Sequence, residues 1–171
     1  MEFEHIKESV EQLNEVLRAN PNEGRGLDSV ATATLDEGIR TRVEGPNDWS
    51  ITTDQAEEIG GDLTAPSPGW YMRASLASCD LVGLRIRAAR VGIDLTDVEV
   101  TVKSESDARG LFGVDDSVPA RPSNVRLHFK LSASNAGPER LKELVEWTEA
   151  HSFVGQAIRE PVPMERSVEI V

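Results

Sequence analysis

The sequence predicts an α+β fold in which antiparallel sheets surround one long buried central helix. Three observations lead there. Apolar and polar residues alternate with period two across numbers 28–53, and again at Val98–Val102 and Val125–Leu131. A helical segment runs from Pro68 to about Val91, with polar residues sparse between Trp70 and Leu84. A second helical pattern opens at Gly137 and Pro138.

Taken in order, the chain first shows apolar residues at Phe3, Ile6, Val10, Leu13 and Leu17, a spacing that lays one stripe along a helix. Asn20, Pro21, Asn22 and Gly24 end it. That stripe needs a groove, either on its own core or on a partner subunit. Numbers 1–24 therefore read as an appended helix and 25–171 as the domain. Val30, Thr32 and Thr34 alternate with Ala31, Ala33 and Leu35, and Asp36, Glu37 and Gly38 supply a turn. Ile39, Thr41 and Val43 then alternate with Arg40, Arg42 and Glu44, and a second turn at Gly45–Asp48 leads to Trp49, Ile51 and Thr53. This predicts an antiparallel meander with one buried face and with Arg40 and Arg42 together on the other.

Asp54–Ala65 reads as a polar loop. Ser67 is a good N-cap and Pro68 a good first helical residue, while Gly92 stops the helix that follows. Arg85, Arg87 and Arg90 emerge toward its end. The 104–124 connection exceeds the usual length for a structureless link, which suits a lid or binding loop as well as a solvated, partly disordered segment. Leu141, Leu144, Val145 and Thr148 form the stripe of the second helix, Ser152 suits the cap of a short helical turn from Phe153 to Arg159, and Val168 with Ile170 mark a closing strand.

Composition narrows the function classes. Among 171 residues, 18 Lys plus Arg stand against 30 Asp plus Glu, a net charge of −12. Phosphate binding needs clustered cations, so nucleic acid and anionic membrane surfaces are disfavoured as partners. No apolar run approaches the ~20 residues of a membrane span, and the first twenty residues carry acids where a signal peptide carries a basic start, so a cytoplasmic protein is expected. The single cysteine, Cys79, excludes an intramolecular disulfide and a cysteine-based zinc site. His5, His128 and His151 have no metal-ligand spacing, and no glycine-rich phosphate loop occurs, so no cofactor is expected.

The stretch PSPGWYMRASLASC (Pro66–Cys79), the two valine-rich strands, and the run EWTEAHSFVGQAIREPVPM (Glu146–Met164), with its HSxV-type motif and terminal PVP, resemble the OsmC/Ohr superfamily in type and order. The resemblance covers about Asp28–Val171. It implies an intertwined homodimer with sites at the subunit interface. It also implies that a cysteine on the central helix reduces organic hydroperoxides while a second cysteine resolves the oxidised sulfur, assisted by a meander arginine and an acid at the head of the helix. Carried over, the first cysteine falls on Cys79 and the second on Ser152. The arginine falls on Arg40 or Arg42, and the acid on Gly69 or Trp70, neither of which bears a charge. Lacking a second thiol, turnover would require an external thiol reductant.

The residues themselves leave alternatives open. A lone cysteine is often a small buried apolar side chain, and Cys79 lies about three turns beyond Pro68, past the reach of the helix dipole. Its helical neighbours Ser75, Leu76, Val82 and Gly83 offer no cation. His151 suits an acid or base near the site, or a plain helix-end histidine. Trp70, Tyr71 and Met72 suit an apolar ligand pocket or simple core. Two functions follow: thiol-dependent handling of peroxide stress through Cys79, or a non-enzymatic dimer that binds a small hydrophobic ligand in the interface cleft.

Overall fold

The computed structural model describes residues 2–171. In chain order its elements are α1 (Glu2–Ala19), β1 (Thr32–Leu35), β2 (Thr41–Glu44), β3 (Ser50–Thr53), α2 (Pro68–Val91), β4 (Leu95–Glu105), α3 (Ala108–Leu111), β5 (Asn124–Ala133), α4 (Pro138–Ala150) and α5 (Phe153–Arg159). Short 3₁₀ turns lie at Pro21–Gly24 and Glu57–Ile59. The chain forms two compact units, Glu8–Ala74 and a second made of Ser75–Val171 with the start of α1 through Lys7.

In the Glu8–Ala74 unit, β1, β2 and β3 form the expected antiparallel meander, with Thr32 opposite Glu44 and Thr41 opposite Thr53. Gly38 takes a left-handed φ of 59° in the first turn, and Asn47 and Asp48 do so in the second. The expected buried face is absent. β1 is exposed throughout, Leu35 and Trp49 are 74% and 63% exposed, and no apolar side chain of this unit is buried. Strands of four residues form a sheet one layer thick, which leaves most of its apolar side chains uncovered within the unit.

After β3 the chain wraps around Asp54, which is buried. Its carboxylate accepts from the amides of Gln55 (2.8 Å) and Thr64 (2.9 Å) and from the Thr64 hydroxyl (2.7 Å). These bonds, led by those from Thr64, hold its pKa down at about 2. The polar loop is thus a strap closed by one carboxylate. It delivers Ser67, whose hydroxyl accepts from the Trp70 amide at 3.3 Å and starts α2.

In the other unit, β4 and β5 pair antiparallel from Leu95 opposite Ala133 to Glu105 opposite Asn124. Their inward side chains, Val98, Val100, Phe129 and Leu131, pack on Leu84, Ala88, Ile93 and Leu144. Gly92, with φ 68°, ends α2, and the Ile93 amide donates to Ala88 O at 2.9 Å to close the helix end. α2 is buried along a narrower face than expected: Leu76, Asp80, Leu84, Ala88 and Ala89 are buried, whereas Trp70, Leu81 and Val82 are exposed. One chain supplies a covering layer on one side only.

One further expectation, the closing strand marked by Val168 and Ile170, gives way. The 104–124 connection is exposed over most of its length and is tied down by α3. Asp107 caps that turn and holds Arg109 in an ion pair at 2.6 Å, Gly110 fits where a Cβ would stand 2.4 Å from Val118 O, and the Ser123 amide donates to Glu105 O. Residues 161–171 form no strand and are exposed throughout. Pro161 and Pro163 remove two backbone donors, and neither sheet pairs with this segment.

Candidate functional site

α2 sets Cys79 and Asp80 side by side: Asp80 lies on the buried stripe and Cys79 beside it, half-buried. α4 packs against this stretch through a close contact, since a Cβ on Gly83 would stand 3.1 Å from Thr148 Cγ2. Thr148 is buried and its hydroxyl donates to Leu144 O at 2.9 Å. α4 ends at Ala150, two residues beyond the contact with Gly83, and the turn into α5 brings the Ser152 hydroxyl to 3.5 Å from Cys79 Sγ. The same oxygen caps α5 by accepting from the Gly155 amide at 3.0 Å. A Cβ on Gly155 would stand 2.7 Å from Ser152 Oγ, so glycine there keeps the cap closed.

Asp80 is the functional candidate that sequence reading missed. It is 1% exposed, and neither carboxylate oxygen has a partner in hydrogen-bonding geometry among the described residues. Burial raises its pKa; the nearby Ser152 hydroxyl and the Arg159 charge oppose part of that rise. Arg159 also donates through Nη2 to Glu149 O, tying α5 back to α4. The available signal was an acid between Leu76 and Leu84 at four-residue intervals, next to the only cysteine.

Of the residues singled out beforehand, the structure brings Cys79 and Ser152 together. Arg40 and Arg42 belong to the meander unit, where each is paired with carboxylates: Arg40 with Asp36 at 2.9 Å and Glu37 at 3.3 Å, and Arg42 with Glu44 at 2.9 Å. His151 is exposed, stacked on Trp147 at 4.0 Å, with Nδ1 donating to Trp147 O at 2.7 Å. Trp70 and Tyr71 meet edge to face at 5.3 Å, the Tyr71 hydroxyl donates to Thr52 O, and Met72 is half-buried. Trp70 borders an open hollow of about 640 Å³ with Leu63, Pro66 and Arg73. Among the described residues, no group of three or more His, Cys, Asp or Glu is gathered as metal ligands, and no helix is long and apolar enough to cross a membrane.

Three solved structures share this fold across most of their length. An OsmC-like protein from Mycoplasma pneumoniae has a TM-score of 0.66 at 15% identity, covering 80% of this chain and 91% of its own. An organic hydroperoxide resistance protein OsmC from Legionella pneumophila has a TM-score of 0.59 at 19% identity, with 79% and 91% coverage. An organic hydroperoxide resistance protein from Elizabethkingia anophelis has a TM-score of 0.57 at 16% identity, with 80% and 91% coverage. No curated protein matches the sequence. The model of the family described as OsmC-like protein matches residues 60–167, which include both Cys79 and Ser152, and the chain belongs to that family.

Proposed function

We propose that the protein reduces organic hydroperoxides through Cys79, with an external thiol in place of a resolving cysteine. The observation that carries this reading is the 3.5 Å approach of Ser152 Oγ to Cys79 Sγ. The two positions that the resemblance pairs as attacking and resolving groups meet in space, and one still bears a sulfur. Two structural relatives are hydroperoxide resistance proteins by name, which agrees with this chemistry.

In the first step Cys79 sulfur attacks the distal peroxide oxygen. An S–O bond forms, the O–O bond breaks, and the thiol proton ends on the departing alkoxide, giving a sulfenic acid and an alcohol. A serine hydroxyl cannot condense with that sulfenic acid to a disulfide. A low-molecular-weight thiol instead displaces water to give a mixed disulfide, and a second thiol releases Cys79 as the reductant leaves in its own disulfide. A reducing cytoplasm supplies such thiols.

The working form in this reading is a homodimer. Leu35, Trp49 and Ile51 of the meander and Val82 of α2 are exposed in the single chain, and a second copy would cover them. In the dimer Arg40 or Arg42 is the candidate cation for the thiolate. The hollow beside Trp70 favours a second reading, binding of a small hydrophobic ligand without turnover.

The test mixes purified protein with cumene hydroperoxide and a panel of thiol reductants. Peroxide consumption that disappears in C79S is expected. No Cys79-dependent consumption with any reductant overturns the enzymatic reading and leaves the binding one.

A further inference from the structure

We infer that Ser152 is a catalytic residue as well as a cap: its hydroxyl donates to Cys79 Sγ and stabilises the thiolate that attacks the peroxide. This rests on the reading of Cys79 as the reacting sulfur.

The hydrogen-bonding inventory of the Ser152 oxygen carries the argument. A hydroxyl has one hydrogen and two lone pairs. One lone pair accepts from the Gly155 amide at 3.0 Å, which fixes the oxygen in place and polarises its O–H bond. The hydrogen has Cys79 Sγ as its partner at 3.5 Å. Asp80, the residue after Cys79, does not claim it, since neither of its oxygens meets a donor in hydrogen-bonding geometry among the described residues. Ser152 is buried, so bulk water does not compete for that hydrogen.

A thiol donates to a hydroxyl or accepts from one, whereas a thiolate only accepts. The contact strengthens as the sulfur takes on charge, because a hydrogen bond to an ionised acceptor is roughly twice as strong as a neutral one. It therefore favours the reactive form over the resting one. On α2 itself, Ser75, Leu76, Val82 and Gly83 beside Cys79 bring no cation. The other donors at the α4–α5 junction are committed: the Thr148 hydroxyl donates to Leu144 O, His151 Nδ1 to Trp147 O and Arg159 to Glu149 O.

A thiol at position 152 would be a weaker donor than this hydroxyl. The serine thus exchanges a group able to form a disulfide for one that holds the thiolate. No proton passes to or from Ser152. The thiol proton still ends on the departing alkoxide, and the hydroxyl hydrogen stays on its own oxygen.

The test is an ultraviolet titration of thiolate absorbance in wild type, S152G and S152A, with C79S as the blank and folding followed by circular dichroism. It needs no peroxide, so absent peroxide turnover, which would sink the reading of Cys79, leaves this result legible on its own. Asp80 of α2, Glu149 and His151 at the end of α4 and Arg159 of α5 are charged or titratable groups near the pair, and wild type and both variants share them. Glycine serves a helix N-cap nearly as well as serine, whereas alanine does not, so capping alone predicts a change in S152A that S152G largely escapes. The expected result is the same in both variants: below the midpoint, at a given pH, about tenfold less thiolate than in wild type. S152G carries the test should S152A fail to fold. An S152G curve that superposes on wild type overturns the proposal.

Discussion

Gly83→Ala probes the contact that seats the α4–α5 junction over Cys79. The new methyl carbon would stand 3.1 Å from Thr148 Cγ2. Carbon atoms prefer about 3.5–4.0 Å, so the shortfall is about 0.4–0.9 Å. Thr148 cannot swing aside cheaply, since it is 1% exposed, β-branched and bonded to Leu144 O. Overpacking of this kind costs about 1–3 kcal/mol, and replacing a helical glycine returns about 1 kcal/mol. A net destabilisation of up to about 2 kcal/mol is therefore expected. Thr148→Ser removes only the opposing methyl and keeps the hydroxyl that reaches Leu144 O. In that background G83A should be mildly stabilising, by about 1 kcal/mol, which makes the coupling about 1–3 kcal/mol. Urea unfolding of the four proteins at one fixed concentration measures the cycle. Coupling below about 0.5 kcal/mol would show that the two groups are independent and refute the packing account.

Other outcomes follow from the same structure. Asp54 has a folded pKa of about 2, below its ordinary 3.8, so the stability it confers is present above 3.8 and lost as pH falls through about 2. Thermal melts from pH 2 to 6 should lose that acid limb in D54N. Asp80 has the opposite sign: its raised pKa favours the folded state at acid pH, and that contribution is lost as pH rises through the folded value, a slope that D80N should abolish in the same melts. Ser152→Ala removes the α5 cap and should cost about 1 kcal/mol, read by unfolding and by faster amide exchange at Gly155. Gly61→Ala would place a methyl 2.1 Å from Gln55 O, so the strap around Asp54 should open and become the first site cut in limited proteolysis.

Local chemistry was readable wherever the chain answers to itself. Ser67 and Pro68 start α2, Gly92 ends it, Ser152 caps α5, and the meander pairs in the order its turns impose. Alternation says which residues share a face, though not what covers that face, so the uncovered β1–β3 sheet and the unpaired closing segment escaped the reading. Asp54 was passed over as part of a loop because its partner Thr64 lies ten residues away and no periodic signal links them. The approach of Ser152 to Cys79 rested on resemblance alone, since 73 residues separate them. Asp80 was hidden by its surroundings: in an apolar helix a single acid reads as the solvent side, and here it is the buried one.

The buried row Leu76, Asp80, Leu84 and Ala88 advances four residues at a time, while a helical turn holds about 3.6, so each step overshoots a full rotation by about 40°. Between Leu76 and Ala88 the shielded sector precesses by about 120°, a third of the circumference. The two ends of the rod therefore look in different directions. Enlarging Ala88 would press on the hydrocarbon against β4 and β5, whereas an equal change at Leu76 would be felt elsewhere, and the two penalties should simply add.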